Sequence, residues 1–572
     1  MRRRPTLTRT VVGTTALATA IAGATFGITS QASARQAAPT SQTAAAATTG
    51  AASTYVVMFA QGTDGSAALA AARAAGATVV KVDKKLGFAV VRTADTSFSG
   101  KLAGAKGVLG TARDRVIGRA PKERRLDAER LAGGQTLTGA ADAPAAGKAE
   151  PLANRQWDMR QIGATVQGSY AVNQGDKRVL VGVIDTGVDG KHPDIAPNFD
   201  KALSHNFVTD NPAIDGPCEV PSCVDPVDED DNEHGTHVAS TIASPINGLG
   251  IAGVAPKVTI VNIRAGNDSG YFFLQPTLEA LEYAGDIGVD VVNMSFYTDP
   301  WLYNCLANPA DSPAERTEQR VTRELTQRAV NYALRHGVTP IAAEGNESTD
   351  LGHPTEDTTS PDFPDGAAKT RTIDNSCITV PTETRGVVAV SSTGPSKRKA
   401  YYSNYGVEQT EVAAPGGDVY DTPDNSRDIR AGVLAAYPEA LAKASGQLLP
   451  DGTPKPDSGI VRDCSGTTCA YYQYLQGTSM AAPHAVGVAA LLITRYGHDD
   501  GHGGWTADPA QITKMLYRTA VPQACPEPRL FHYDLGRTRL PNSFDHLCEG
   551  SVQFNGFYGH GIVNAYLAAA GR

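Results

Sequence analysis

The chain has 572 residues, 41% of them hydrophobic and 58 of them glycine, which predicts two or three globular units with a large core and excludes a disordered chain. Residues 1–150 hold 20 lysines and arginines against 9 acidic residues, a charge of +11, so the other 422 residues carry −20. This asymmetry is either a drift in composition or a sign that the two parts face each other, and it argues against nucleic-acid binding by the larger part.

The first 34 residues read as a secretory signal peptide. Four arginines precede an apolar, alanine-rich segment over residues 11–28, and Ala-Ser-Ala at 32–34 has the small-x-small form of a cleavage site. A membrane anchor is the alternative, but the apolar segment is short and rich in Thr and Gly. No later stretch has about twenty apolar residues, so no membrane partner is expected. Residues 35–53 read as a flexible leader.

Residues 54–119 have the pattern of a small α+β domain. Strands are predicted over 55–59, 78–82, 88–92 and 108–117, and helices over 66–75 and 98–105. The resulting order β-α-β-β-α-β is the ferredoxin-like, split-βαβ arrangement. A small unrelated binding module is the alternative. Residues 120–150 are polar and rich in Ala and Gly, which predicts an exposed linker.

Residues 151–572 alternate apolar strands with helical stretches, which predicts an α/β unit with a parallel sheet flanked by helices. Strands are predicted over 179–184, 257–263, 290–294, 338–342 and 386–391, and helices over 276–285 and 314–335. Two segments, 421–475 and 496–555, are weakly patterned, and we interpret them as insertions.

All eight cysteines lie after residue 200, and none forms the C-x-x-C pair of a zinc site. An even number of cysteines behind an export signal predicts disulfides. Nearest-neighbour pairing gives Cys218–Cys223, Cys305–Cys377, Cys464–Cys469 and Cys525–Cys548, one choice among about a hundred connectivities.

Residues 477–490 read Gly-Thr-Ser-Met-Ala-Ala-Pro-His-Ala-Val-Gly-Val-Ala-Ala, a buried helix that begins at or near Ser479. The free N–H groups and the positive dipole end of such a helix favour developing negative charge, which an acyl-transfer nucleophile requires. The alternative is a plain helix N-cap.

Two further stretches carry residues suited to acid–base chemistry. Asp185 follows an apolar strand and precedes Thr-Gly, at the carboxyl end of a predicted parallel strand, where open α/β sheets place their sites. Alone, an Asp-Thr-Gly at the end of a strand is usually a turn. His234 lies in Asn-Glu-His-Gly-Thr-His-Val-Ala, where His234 and His237 suggest a metal only weakly, because a third ligand is lacking.

These three strings together resemble the aspartate, histidine and serine motifs of the subtilisin-like serine proteases (subtilases). The string Ile-Ala-Ala-Glu-Gly-Asn, which ends at Asn346, resembles the oxyanion motif of the same family. Residues 154–163 resemble the start of a mature subtilase domain, and residues 560–565 resemble its end. The resemblance covers about residues 151–570.

The resemblance implies a subtilisin-like fold and a serine endopeptidase that works through an acyl-enzyme intermediate and needs no cofactor. Asp185 would orient His234, His234 would act as the base, and Ser479 would be the nucleophile. The side chain of Asn346 and the backbone N–H of Ser479 would bind the oxyanion, and His237 would be structural.

The resemblance also implies that Gly270 and the segment Ser295-Phe296-Tyr297 bind the substrate backbone as added strands. The chain departs from the family pattern here, because Tyr297 stands where glycine is usual and Glu344 where a small residue is usual. Tyr297 is expected to narrow the P1 pocket or to move its wall, which leaves the side-chain preference open.

The unit at 54–119 resembles in pattern and position the inhibitory propeptide of subtilases. The predicted protein is therefore a secreted, monomeric zymogen that cleaves itself within the 120–150 linker, is inhibited by its own propeptide and acts on peptide or protein substrates. The acidic run 225–233 is either a calcium site, as many subtilases have, or a solvated loop. The alternatives are a processing protease for one peptide precursor and a catalytically dead binding protein.

Overall fold

The computed structural model describes residues 52–114, 149–363, 366–456, 458–501, 503–535, 538–539 and 544–572. The predicted signal peptide, most of the leader and almost all of the predicted linker lie outside these residues. Within them, no helix is long and apolar enough to cross a membrane.

The N-terminal α+β unit (residues 53–114) has the predicted order of elements. It comprises β1 Ser53–Phe59, α1 Ser66–Ala74, β2 Thr78–Asp83, β3 Phe88–Thr93, α2 Phe98–Leu102 and β4 Val108–Asp114. The strands form one antiparallel sheet in the order β2-β3-β1-β4. The second helix ends three residues before its predicted end, because Ala103 has an extended backbone and Gly104 a positive φ.

Both faces of this small sheet are apolar, which explains its continuous hydrophobic strands. One face covers the unit's own two helices through Tyr55, Val57, Phe59, Ala89 and Val91. The opposite face packs against the larger unit through Val56, Met58, Phe88 and Val90. Because side chains alternate along a strand, each strand supplies both cores.

The larger unit is built on a seven-stranded parallel sheet in the order β13-β12-β9-β8-β5-β7-β6. All five predicted strands belong to it, with ends shifted by up to two residues. The strands that follow β4 are β5 Leu180–Ile184, β6 His205–Asn206, β7 Thr259–Arg264, β8 Val291–Met294, β9 Thr339–Ala343, β10 Glu356–Asp357, β11 Arg371–Thr372, β12 Val388–Thr393, β13 Val412–Pro415, β14 Val433–Ala436, β15 Val461–Ser465, β16 Thr468–Leu475, β17 His498–Asp499, β18 Trp505–Thr506, β19 Leu530–His532, β20 Asp534–Leu535, β21 Thr538–Arg539 and β22 Asp545–Leu547.

Helices cover both faces of the parallel sheet, as predicted. They are α3 Trp157–Ile162, α4 His234–Ala243, α5 Leu274–Asp286, α6 Pro313–Arg335, α7 Glu439–Ala444, α8 Thr478–Tyr496, α9 Pro509–Thr519 and α10 Ala565–Ala570. Helices α4, α8, α9 and α10 share one core, and α5 and α6 share the other with the N-terminal unit.

Helix α8 is buried from Thr478 to Ile493, so it runs through the centre of the core. Its small residues permit this position. A Cβ atom at Gly487 would lie 2.5 Å from the Cβ of Val254, so only glycine fits there. Such close packing fixes where the start of the helix lies.

The segments 421–475 and 496–555 are more regular than their weak pattern predicts. The first contains α7 and an antiparallel sheet in the order β14-β16-β15, and the second contains α9 and several short strands. The sequence pattern is weak because β15 has a largely solvent-facing surface while β16 is buried through tyrosines rather than through aliphatic residues.

The four predicted disulfides are all present. The bonded pairs are Cys218–Cys223, Cys305–Cys377, Cys464–Cys469 and Cys525–Cys548. Two of them lie in the segments that we interpreted as insertions: Cys464–Cys469 joins the paired strands β15 and β16, and Cys525–Cys548 joins two loop residues.

The N-terminal unit lies on helices α5 and α6, and opposite charges meet there. Lys81 contacts Glu279 at 2.9 Å and Lys85 contacts Glu282 at 3.1 Å. Arg320 donates to the carbonyl oxygen of Leu109 at 2.8 Å. The described N-terminal unit therefore presents lysines to acidic residues of α5, which agrees with the predicted attraction between the two parts.

Candidate active site

Asp185 is the first residue after β5 and is fully buried. Its Oδ1 atom lies 2.7 Å from Nδ1 of His234 and also accepts the backbone N–H of Thr186 at 2.8 Å. The backbone N–H of the next residue thus holds the carboxylate, which faces the imidazole. A buried carboxylate in this position holds one tautomer of the ring.

His234 is the first residue of α4 and is 2% exposed. Two glycines allow this helix to start against the end of β5. Gly187 has a φ of 140°, and a Cβ atom at Gly235 would lie 2.0 Å from the carbonyl oxygen of Gly187. Any larger residue at 235 would push the histidine away from Asp185.

A third residue, Asp230, links the two, although its sequence context predicts only membership of the acidic run 225–233. It is buried, and its carboxylate accepts hydrogen bonds from the N–H of Asn232, from the hydroxyl of Thr186, and from both the N–H and the hydroxyl of Thr236. Thr186 follows Asp185, and Thr236 lies in the first turn of α4. Asp230 therefore fastens the strand end to the histidine helix. Its position four residues before His234 was the available signal.

Ser479 is the second residue of α8, and helix α8 packs against α4. Pro483 lacks an N–H group, so the carbonyl oxygen of Ser479, four residues earlier, has no helical donor. That oxygen instead accepts the hydroxyl of Ser295 at 3.0 Å, and the Ser479 hydroxyl donates to the carbonyl oxygen of Ser295 at 3.3 Å. The proline thus lets the predicted substrate-binding segment attach to the helix start.

Asn346 lies three residues after the end of β9, and Thr478 sets its orientation. Its Oδ1 accepts both the N–H and the hydroxyl of Thr478, each at 2.9 Å. The Thr478 hydroxyl also accepts the N–H of Gly345 at 3.0 Å. The side-chain amide of Asn346 is therefore fixed through its oxygen, and Asn346 lines the pocket described next.

Both Ser479 and Asn346 line a pocket of about 200 Å³, and all four predicted substrate-binding residues, Gly270, Ser295, Phe296 and Tyr297, line it as well. The structure therefore brings together the residues predicted to be the nucleophile, the oxyanion donor and the substrate-binding segments. Next to this pocket, helix α4 carries His234 towards Asp185.

The two departures from the family pattern have structural explanations. The hydroxyl of Tyr297 donates to Asp362 at 2.6 Å, which holds the ring as part of the pocket wall. Glu344 is fully buried, and its carboxyl contacts the Thr410 hydroxyl at 2.7 Å. Burial raises the pKa of Glu344 well above its usual value.

His237 lies away from the pocket lining. It is buried, its Nε2 faces the carbonyl oxygen of Val433 at 3.1 Å, and burial lowers its pKa to about 3. No group of possible metal ligands found within the described residues includes His237. This environment fits the predicted structural role.

The acidic run 225–233 is not a solvated loop, because its residues Asp225, Asp228, Asp230 and Glu233 are buried. The buried guanidinium of Arg264 contacts Asp225 and Asp268 at 2.6 Å each. Lys201 contacts Asp228 at 2.7 Å, and Lys191 contacts Glu229 at 2.6 Å. The carboxylates of Asp225, Asp231 and Asp268 lie within 4.8 Å of one another, so they are a possible cation-binding group.

Comparison with known proteins identifies the class. Residues 176–561 match the model of the subtilase family, Peptidase_S8, so the chain belongs to the subtilase family and is a serine endopeptidase. Subtilases need no cofactor for catalysis, and they act on peptide substrates.

Individual relatives are distant. Subtilisin DY of Bacillus licheniformis is 27% identical over 395 residues, which cover 68% of this chain and 90% of that protein. The epidermin leader peptide processing serine protease of Staphylococcus aureus has a TM-score of 0.58 at 21% identity, over 90% of this chain and 97% of that one. Fervidolysin of Fervidobacterium pennivorans has a TM-score of 0.53 at 22% identity, over 91% of this chain and 61% of that one. These two structures share the fold.

Proposed function

We propose that this chain is a secreted endopeptidase that hydrolyses peptide bonds with Asp185, His234 and Ser479 as its catalytic triad. The observation that carries the proposal is the buried contact of 2.7 Å between Asp185 and His234. His234 begins helix α4, and α4 packs against helix α8, which begins with Thr478 and Ser479. This contact supports the proposed roles of Asp185 and His234, because general-base catalysis needs a carboxylate that orients the imidazole.

In this mechanism, His234 takes the proton of the Ser479 hydroxyl as the oxygen attacks the peptide carbonyl. The carboxylate of Asp185 stabilises the imidazolium that forms, and the imidazolium then protonates the leaving amine. Water repeats the cycle on the acyl-enzyme. Because Nδ1 of His234 faces Asp185, its Nε2 is the atom that exchanges the proton.

The negative oxygen of the tetrahedral intermediate would be bound by Asn346 Nδ2 and by the backbone N–H of Ser479. The supporting observation is that Thr478 occupies Oδ1 of Asn346 with two donors. The donor is therefore oriented before the substrate arrives, which is how preorganised groups lower a barrier. The extended substrate would pair with Gly270 on one side and with Ser295, Phe296 and Tyr297 on the other.

We infer that the N-terminal α+β unit is an inhibitory propeptide and that the chain cleaves itself in the 120–150 linker. Support comes from the way the unit buries an entire apolar sheet face on α5 and α6 and adds ion pairs at the edge. Removing the unit would expose that face. An export signal over residues 1–34 and four disulfides fit a secreted monomer.

The test is the intact mass and N-terminal sequence of the secreted wild type beside Ser479→Ala. The wild type should begin between about residues 120 and 155, and Ser479→Ala should keep its N-terminal unit. Ser445→Ala removes an exposed hydroxyl outside the pocket lining and is the matched control, which should still mature. Identical processing of wild type and Ser479→Ala would reject self-cleavage.

Inhibition by the propeptide has its own test. The purified 35–150 segment, added to mature enzyme, should inhibit it at micromolar concentration. A segment carrying Lys81→Glu and Lys85→Glu should inhibit less well, because the introduced carboxylates would face the acidic residues Glu279 and Glu282 of α5. No inhibition by either segment would contradict the role.

A processing protease for one peptide or protein precursor is the second candidate. It is favoured by the departures at Tyr297 and Glu344 and by the fold shared with the epidermin leader peptide processing protease. Cleavage of a mixture of denatured proteins at many sites would exclude it. A catalytically dead binding protein is disfavoured, because Asp185, His234 and Ser479 are all present.

We also propose that the acidic cluster of Asp225, Asp231 and Asp268 holds a structural calcium ion. The neighbouring Asp210 is 5% exposed, and its Oδ2 has no hydrogen-bond partner within the described residues. Burial and the neighbouring carboxylates raise the pKa of Asp268 and the pKa of Asp231. A bound hard cation would favour the ionised carboxylates and lower both pKa values. A chelator should lower the melting temperature of the wild type and not that of Asp231→Asn. An equal effect, or none, would contradict the site.

A further inference from the structure

Asn346 lies in a tight loop after β9, and the backbone of this loop departs from ordinary extended and helical conformations on both sides of Asn346. Gly345, one residue earlier, has a φ of 108°, and Ser348, two residues later, has a φ of 60°. A positive φ is uncommon for serine and costs free energy. Contacts from elsewhere in the chain must therefore hold the loop in this shape.

The side chain of Asn404 bonds to this loop with both ends of its amide. Its Nδ2 group donates to the carbonyl oxygen of Glu344 at 3.1 Å and to Oε2 of Glu347 at 2.6 Å. Its Oδ1 atom accepts the backbone N–H of Glu347 at 3.1 Å and that of Thr349 at 2.9 Å. One amide thus binds the chain on both sides of Asn346.

The backbone of Asn404 and the burial of the residue strengthen this hold. Its N–H donates to the carbonyl oxygen of Gly345 at 3.0 Å, and Asn404 is 1% exposed. A Cβ atom at Gly345 would lie 2.4 Å from Nδ2 of Asn404, so the amide fits against the loop because residue 345 is glycine. Since water does not reach so buried a place, loss of the amide would leave polar groups of the loop unsatisfied.

The groups that the loop presents require an amide of this length. Two of them, on Glu344 and Glu347, are acceptors, and two are backbone N–H donors, so the partner must donate and accept at the end of one short side chain. Aspartate has the same shape but only accepts when ionised, and glutamine places its amide one methylene group further from the backbone. Position 404 is therefore matched to asparagine.

We propose that Asn404 is a positioning residue that sets the geometry of the Asn346 loop and, through it, the place of the oxyanion donor. The proposal rests on the proposed function, because it matters for catalysis only if Asn346 binds the oxyanion. Thr478 then holds the side chain of Asn346, while Asn404 holds the backbone on both sides of it. A donor fixed in both ways is preorganised for the charge that develops in the transition state.

The test uses Asn404→Asp, which keeps the shape of the side chain but loses both donated bonds and places a second carboxylate beside Glu347. The kcat per active serine, counted by fluorophosphonate titration, should fall by roughly 10-fold or more, and KM should stay within about twofold of the wild-type value. Asn555→Asp is the matched control. Buried Asn555 also donates to two carbonyl oxygens, those of Gln523 and Ser551, and accepts two backbone N–H groups, but it lies outside the described lining of the pocket. It should keep the wild-type kcat.

A double variant separates positioning from a general loss of structure. Asn346→Ala alone should lower kcat by roughly 100-fold to 1,000-fold, the range for an oxyanion donor in subtilisin, a relative of this chain. If Asn404 acts through Asn346, adding Asn404→Asp to Asn346→Ala should change kcat by less than about twofold. A merely structural role would lower kcat by the same factor in both backgrounds. Bead-bound wild-type enzyme matures the slow variants and is then removed.

Equal factors in the two backgrounds would overturn the proposal, as would an equal fall of kcat in Asn555→Asp. A slow Asn346→Ala beside an Asn404→Asp of wild-type kcat rejects the positioning role alone. Wild-type turnover in Asn346→Ala rejects the proposed oxyanion donor and the positioning role together. A wild type that is inactive and is not labelled at Ser479 rejects the proposed function as a whole.

Discussion

The orientation of Asn346, the proposed oxyanion donor, depends on the residue next to the proposed nucleophile, and this can be tested by Thr478→Val. Valine keeps the shape of threonine and the backbone N–H that binds Asn346. It removes the hydroxyl that donates to Asn346 Oδ1 at 2.9 Å and accepts from Gly345 at 3.0 Å. The change therefore loosens the amide without removing it.

Two neutral hydrogen bonds are lost, each with a net contribution of about 0.5–1.5 kcal/mol. If this loss falls on the transition state, the barrier rises by about 1–3 kcal/mol, which lowers kcat by roughly 5-fold to 150-fold. Loss of a whole oxyanion donor costs about 3–4 kcal/mol in subtilisin itself, a relative of this chain, so the effect of Thr478→Val should stay below that ceiling.

The assay is kcat and KM on a peptide substrate, normalised by titration of active serines. The KM of Thr478→Val should remain near the wild-type value, because the ground-state carbonyl is only weakly bound by the donor. Thr478→Ser keeps the hydroxyl and is the matched control, with turnover close to wild type. A kcat of Thr478→Val within twofold of wild type would refute the role of Thr478.

Three further changes test other parts of the structure. Asp230→Asn should lower kcat/KM by roughly 10-fold or more, because the carboxylate that accepts hydrogen bonds from Thr236, in the first turn of the His234 helix, is lost. A kcat/KM equal to that of the wild type would contradict this prediction. Burial lowers the pKa of His192 to about 4. As the pH falls below about 6.5, the histidine of the unfolded chain therefore binds a proton before that of the folded chain. This difference removes about 3 kcal/mol of folding stability between pH 6.5 and 4. His192→Gln should therefore show a shallower acid-side fall in melting temperature, and an unchanged slope would contradict the assignment. Replacing Cys305 and Cys377 together by alanine opens a link with a sequence separation of 72 and should cost about 4 kcal/mol, seen as a lower urea midpoint without reductant. An unchanged midpoint would show that the link does not restrain the unfolded chain.

Much of the fold was predictable because its strands and central helix are marked by local patterns. The parallel strands are short apolar runs, and α8 combines small residues with an apolar run, so both appear in a window of a few residues. The disulfides followed from nearest-neighbour spacing because each bond joins elements that are also adjacent in space. The antiparallel strands β15 and β16 were not predicted, because their exposed polar residues and their tyrosines do not give a regular alternation of apolar and polar residues.

The candidate site was only partly predictable, because its supporting contacts join residues far apart in the sequence. Asp185, His234 and Ser479 were found through their motifs. The contact of Thr478 with Asn346 spans 132 residues, and that of Asn404 with Glu347 spans 57. The flanking motifs place these residues near the site but do not tell which atoms meet.

The central claim, that Ser479 is the nucleophile, is tested most directly by labelling the mature enzyme with a fluorophosphonate and mapping the modified peptide by mass spectrometry. The account predicts one adduct per molecule on Ser479, with loss of peptidase activity in proportion to labelling and no adduct in Ser479→Ala. An adduct on another residue that abolishes activity, or full activity in Ser479→Ala, would contradict it.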